Sequence, residues 1–269
     1  MTELVTMHTH STFCGHAKDS LSAMVDAAEA AGVCAMAATE HYPLGEGVDP
    51  SGRSSMPRER LDEYCAAVLA ERGRHPRMEV LLGCELDWLG AGERRDFAPG
   101  AFDGFDIVLG SVHFLDGWLV NSRREAHRWD AADVDEVWLR YIDAWCDAAT
   151  SDMPFTVMAH PDVVKKFGHR PSFDLTPHYG RMARAAASAG RMVEVNTAGL
   201  FSPCAEFYPA PALLAAFERA GVPCTVGTDA HEAAHIARGV RPAYDYLRAA
   251  GYTRLAVPGY GRSVRYLPL

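Results

Sequence analysis

The chain has 269 residues, of which 48% are hydrophobic and 23% charged, and a formal net charge of −9. A mean hydropathy of −0.11 suits a globular protein with a sizeable core, and no apolar run reaches membrane-spanning length. A pI of about 5.7 excludes affinity built on a basic face for nucleic-acid phosphates. A small anion held through metal ions stays open.

Short apolar runs alternate with amphipathic segments. The first run, 4–10 (LVTMHTH), precedes a helix predicted over 20–32, capped by Ser20 and stopped at Gly32. Run 33–41 follows, then a long loop (43–59) and a helix over 59–73. Runs 78–88 and 105–114 lead to a second long loop (116–130) and a helix over 132–149. Run 155–160, helix 178–190, run 191–197, helix 211–221 and run 223–231 complete the series. Apolar strands separated by helices imply a parallel sheet covered by helices, and seven such units point to a closed or nearly closed α/β barrel. The first strand is not followed by the Gly-x-Gly-x-x-Gly turn of a dinucleotide-binding sheet. Without a composition break to mark a linker, one domain over 1–269 is expected. Both long loops follow strand ends, where such a barrel keeps its active site.

Seven scattered cysteines with no Cys-x-x-Cys pair suit a reducing compartment, and no basic-then-apolar leader opens the chain, so a cytoplasmic location is expected.

Six of the seven runs end in metal-ligand types: His8 and His10; Glu40 and His41; Glu85; His113; His160; Asp229 and His231. The remaining run ends in Asn196. Residues two apart on a strand share a face, so His-x-His and Asp-x-His can each aim two donors at one centre. A lone histidine is ordinarily a hydrogen-bonded imidazole. Repeated placement at strand tips instead predicts a polynuclear site for zinc, manganese or iron. Cys14 lies among these histidines, while His75, His127, His178 and His235 are expected to be solvated. The stretch KKFGHRP (165–171) is the one compact basic segment after a ligand-bearing run. Within it Arg170 suits a phosphate best, because its fork matches two oxygens. Lys165, Lys166 and His169 lie beside it, and Arg53 and Asn196 are further candidates for substrate contact.

The segments HTHSTFCGHA, TEHYPL, GCELDW, GSVHFL, AHPDVVKKFGHRP, VNTAGL, YPAPALL, GTDAH and GRSVRYLPL together resemble the polymerase and histidinol phosphatase (PHP) family, in its histidinol-phosphatase branch. The resemblance covers nearly the whole chain. It implies a distorted seven-stranded (β/α)7 barrel with three divalent metal ions. His8, His10, Glu85 and Asp229 would hold one ion. Glu85 would bridge to a second, held also by His113 and His160. His16, His41 and His231 would hold the third. Asp229, Glu85 and His231 are the implied catalytic residues.

The implied activity is phosphomonoester hydrolysis: L-histidinol phosphate and water would give L-histidinol and phosphate, with a hydroxide between two ions attacking phosphorus. Asp116 or Glu46 could receive the amino-alcohol's ammonium. One departure from the branch is Phe201, directly after NTAGL, where relatives often carry a phosphate-binding arginine; Arg123 or Arg124 could substitute. A phosphatase for another small phosphomonoester is the near rival. A metal-dependent C–N hydrolase or a non-enzymatic metal-binding module is a more distant one. The expected partner is a small phosphorylated substrate, with neither nucleic acid nor membrane.

Overall fold

The computed structural model describes residues 3–45, 47–49, 54–91 and 97–269. Seven strands form one parallel sheet in the order β1 (Leu4–Thr6), β2 (Val33–His41), β3 (Glu79–Asp87), β4 (Ile107–Ser111), β7 (Val157–Met158), β8 (Met192–Asn196), β9 (Cys224–Gly227). Five helices lie in the connections: α1 (Leu21–Ala30), α2 (Leu61–Arg74), α3 (Val134–Thr150), α4 (Thr176–Ser188) and α5 (Pro211–Arg219). Between β4 and α3 a small hairpin pairs β5 (Phe114–Leu115) with β6 (Trp118–Leu119). After β9 come α6 (Val240–Ala249) and a terminal antiparallel hairpin, β10 (Arg254–Gly259) and β11 (Ser263–Pro268).

The first and last strands meet beyond the ladder. Met7 donates its amide to Val226, and Thr9 bridges Ala230 in parallel. The sheet therefore curls into a nearly closed barrel, the expected architecture. Its strands are buried on both faces, which is why they read as near-continuous apolar runs. Close packing demands small side chains at some crossings: a Cβ on Gly83 would fall 2.6 Å from Ile107 Cγ2 and 2.8 Å from Thr39 Cγ2.

The helices start where sequence chemistry places them. Ser20 accepts from the Ala23 amide and Asp133 from the Glu136 amide, and Pro177 sits in the first turn of α4. Several strands are shorter than the apolar runs suggest, because the residues that follow turn over the barrel mouth. Run 4–10 is laddered only to Thr6, and run 155–160 only over Val157–Met158. The terminal hairpin runs across the N-terminal strand ends. Asp106, just before β4, accepts from the amides of Leu82 and Gly261 and pairs with Arg72. No described helix is long and apolar enough to cross a membrane.

Candidate metal centre

The strand tips, with His16 from the loop after the first strand, bring together all nine of the predicted donors. His8 Nε2, His10 Nε2, Glu85 Oε2 and Asp229 Oδ1 converge: His8 and His10 nitrogens lie 3.0 Å apart, and each lies 3.3–3.6 Å from both carboxylate oxygens. Donors around a tetrahedral ion with bonds of about 2.0–2.1 Å sit about 3.3 Å from one another, so the spacing fits a divalent cation. The other Glu85 oxygen faces a second group, 2.9 Å from His160 Nε2 and 3.3 Å from His113 Nε2. Glu85 therefore spans two donor sets. In a third group His16 Nε2 and His231 Nε2 lie 3.0 Å apart. The His41 ring stacks on those of His10 and His16, with its Nδ1 turned 3.0 Å from Glu85 Oε2.

Surrounding groups fix which nitrogen points inward in four of the seven rings. A carboxylate only accepts, so His8 carries its proton on Nδ1, toward Glu194 at 3.0 Å, and His113 on Nδ1, toward Asp87 at 2.7 Å. His16 and His231 likewise donate Nδ1–H to the carbonyls of Cys14 and Asp229. Four Nε2 atoms thus face inward and would give a cation four lone pairs, those of His8 and His113 once their second proton is displaced. Two donors sit on left-handed backbone, His160 at φ 25° and Asp229 at φ 51°, a cost on the order of 1–3 kcal/mol each that the surrounding bonds sustain.

The charge balance points the same way. Burial works to lower the His8 pKa, but Glu194, Glu85 and Asp229 outweigh it and push it up to about 10. Burial is also overcome at His10, by Asp229, Glu40 and Glu85, and at His113, by Asp87 and Glu85; both are raised. Burial alone would raise Glu85 and Asp229, yet the surrounding imidazoles hold both well below the carboxylate range. Burial, with His41 and His10 nearby, lowers His16 to about 4, and His231 is lowered by burial and His10. Negative charge concentrates at Glu85 and Asp229, beside imidazoles that are neutral or bear protons a metal would displace. Cys14 is buried and its thiol pushed up, which keeps it a neutral thiol and a poor ligand.

The predicted substrate residues fare differently. Lys165 is wholly buried, its Nζ 2.9 Å from Asp162 and 3.2 Å from Glu206, and donates to the Phe207 carbonyl; it is a packing cation, not a phosphate contact. Its neighbour Lys166 instead lines a cavity of about 230 Å³ together with His16, His41, His113, Arg123 and Arg124. Burial lowers the Lys166 pKa, against the pull of Asp229. Arg170 pairs with Glu206 at 2.8 Å and does not line this cavity. The His169 ring stacks on Trp129 at 4.5 Å. Asn196 donates to Glu194 and accepts from the Ala198 amide, so both ends of its amide are engaged within the protein. Asp116 pairs with Arg140. Arg53 and Glu46 lie outside the described residues. His75, expected in solvent, is buried among Asp26, Glu29 and Glu71.

Glu194 and Asp87 escaped the sequence reading. Glu194 accepts from His8, from the His160 amide and from Asn196, and a Cβ on Gly227 would overlap its carboxylate, so only glycine fits there. Glu85-x-Asp87 and Glu194-x-Asn196 repeat the period-two spacing of His8-x-His10, and that spacing was the available signal.

A nearly closed parallel barrel with three adjacent donor groups at its C-terminal face defines the class of barrels built for metal-assisted hydrolysis. The PHP domain family matches residues 6–198. The chain belongs to that family. It is 33% identical over 254 residues to a Deinococcus radiodurans protein named "Probable histidinol-phosphatase", covering 93% of this chain and 95% of that one. A Thermotoga maritima protein of the same name is 23% identical, covering 95% and 96%. Among solved structures, a Listeria monocytogenes protein superposes with TM-score 0.81 at 22% identity, over 88% of this chain and 99% of that one. Histidinol phosphate phosphatase from Lactococcus lactis, solved with zinc, L-histidinol and phosphate, superposes with TM-score 0.76 at 22% identity, over 98% and 99%. These likenesses place the fold among PHP-type barrels.

Proposed function

We propose that the chain is one metal-dependent phosphoesterase domain over 1–269 that hydrolyses L-histidinol phosphate to L-histidinol and phosphate. The observation that carries the reading is the unbroken set of nine donors beside a cavity walled by Lys166, Arg123 and Arg124. The named relatives support it, as does the Lactococcus lactis enzyme's complex with zinc, histidinol and phosphate. His8, His10, Glu85 and Asp229 would hold one ion, Glu85, His113 and His160 a second, and His16, His41 and His231 a third. When bound, such ions lower the pKa of water toward 7 and neutralise phosphoryl charge.

The protein's own groups supply the rest. Lys166, Arg123 and Arg124 attract the dianion at the cavity mouth. Ser111 donates to Glu85 Oε1 at 2.5 Å and holds that carboxylate across two donor groups. Of the two carboxylate donors, Asp229 is the more open, with 23% of its side chain exposed against 1% for Glu85. It relays the proton of the attacking water to the alkoxide oxygen as the new P–O bond forms and the ester bond breaks. No strand of the barrel carries a lysine, which weighs against a C–N hydrolase with a bridging modified lysine. Seven free cysteines support a reducing, cytoplasmic setting.

The test is phosphate release from L-histidinol phosphate and a panel of small phosphomonoesters, before and after chelation and with zinc or manganese restored. Metal-dependent release with preference for the imidazole substrate is expected. Preference for another alcohol would give the near rival its place, and turnover untouched by chelators would overturn the metal mechanism.

A further inference from the structure

A second cavity, of about 130 Å³, opens beside Asp229 on the same face of the barrel and shares no lining residue with the first. Its walls are the ends of β8 and β9, Phe201 and Arg238. Phe201 is one of few large apolar side chains left exposed, at 44%. Its ring is not bare, because the Arg238 guanidinium lies over it, 3.2 Å from the centroid. The one hydrogen-bond partner of that guanidinium among the described residues is His235, 3.2 Å from Nη1, and no described carboxylate forms an ion pair with it. Arg238 is exposed, has no ion-pair partner among the described residues and lines this cavity together with the donor Asp229, so its N–H groups are available to an anion.

The segment carrying it is fastened to the catalytic strands. Thr197, directly after β8, donates its hydroxyl to the Arg238 carbonyl at 2.7 Å and its amide to the Gly227 carbonyl at 3.0 Å. Gly239 follows at φ 80°, and a Cβ there would press to 3.0 Å from the Thr197 side chain, so glycine permits the close approach. A guanidinium stacked on a ring keeps its in-plane N–H edge free to hydrogen-bond, and the aromatic face removes much of its freedom beforehand.

We infer that Arg238, carried on the ring of Phe201, binds the phosphate of the substrate from the β8–β9 side. Lys166, Arg123 and Arg124 take it from the other. This rests on the phosphomonoesterase reading and adds to it a binding residue and the platform that positions it.

Inorganic phosphate binding to the zinc-loaded full chain, followed by calorimetry, tests the inference without turnover; KM for L-histidinol phosphate gives a second measure. Arg238→Met should weaken phosphate binding roughly tenfold to a hundredfold, the range for loss of a charge-assisted contact, and raise KM by a similar factor. Arg238→Lys should recover part of the loss, since it restores charge but not the fork. Phe201→Ala should weaken binding severalfold with Arg238 intact. Zinc content and melting temperature should stay at wild-type values in all three. Wild-type phosphate affinity in Arg238→Met would overturn the inference and leave the phosphatase reading standing. A wild-type chain that neither binds phosphate nor releases it from any phosphomonoester would overturn both.

Discussion

Removing the carboxylate of Glu194 should loosen the metal centre without touching any donor. Three groups converge on it, and the His8 Nδ1 proton has no other acceptor among the described residues. Glu194→Gln keeps the shape but loses the charge, and we expect about 10–100-fold weaker metal retention in chelator competition. The two adjacent lysines should separate cleanly. Lys165→Met leaves Asp162 buried without its cation and should cost roughly 3–5 kcal/mol in urea unfolding. Lys166→Met should leave the unfolding midpoint in place and raise KM severalfold. From sequence the two lysines are indistinguishable members of one basic stretch. Only the short turn over 163–165 decides that the first points into the protein and the second toward the cavity. Eight of the nine donors were legible because they end strand runs, where the period of two is a local rule; His16 lies in the loop after the first run and came only from the family resemblance. Glu194 followed that rule too, but lay in the one run that ends in Asn196 rather than in a histidine or carboxylate.

At the scale of elements, the strand runs and helix caps were readable because burial on both faces and capping chemistry are written locally. The terminal hairpin was not. Its outer strand β11 is mostly exposed, so GRSVRYLPL lacks the apolar continuity of a barrel strand, and its tip is tied to the barrel through Asp106, more than 150 positions away. One carboxylate there joins β3, α2 and the hairpin tip. Asp106→Ala should destabilise the fold by roughly 3 kcal/mol. The kcat of the folded fraction should hold, because the N-terminal strand ends lie opposite the catalytic face. Denaturant titration alongside kinetics checks both halves of that expectation.

For the molecule as a whole, ions and stability should be linked. Each ion held at a hundredfold excess over its Kd adds about 2.7 kcal/mol, so stripping the centre should lower the melting temperature by about 5–10 °C for every such ion. Uptake must displace the protons that the carboxylates hold on His8 and His10, so affinity should fall as the medium is acidified. Calorimetry in buffers of different ionisation enthalpy would register the released protons. The barrel closes where its first strand meets its last, and the same seam divides the cage: His8, His10 and His16 on one side, Asp229 and His231 on the other. His16 and His231 are 215 positions apart. A growing polypeptide therefore exposes its first imidazoles long before the ribosome has made the groups that complete their cluster. Loading belongs to the finished chain, and the cation acts as a clasp fastened after translation.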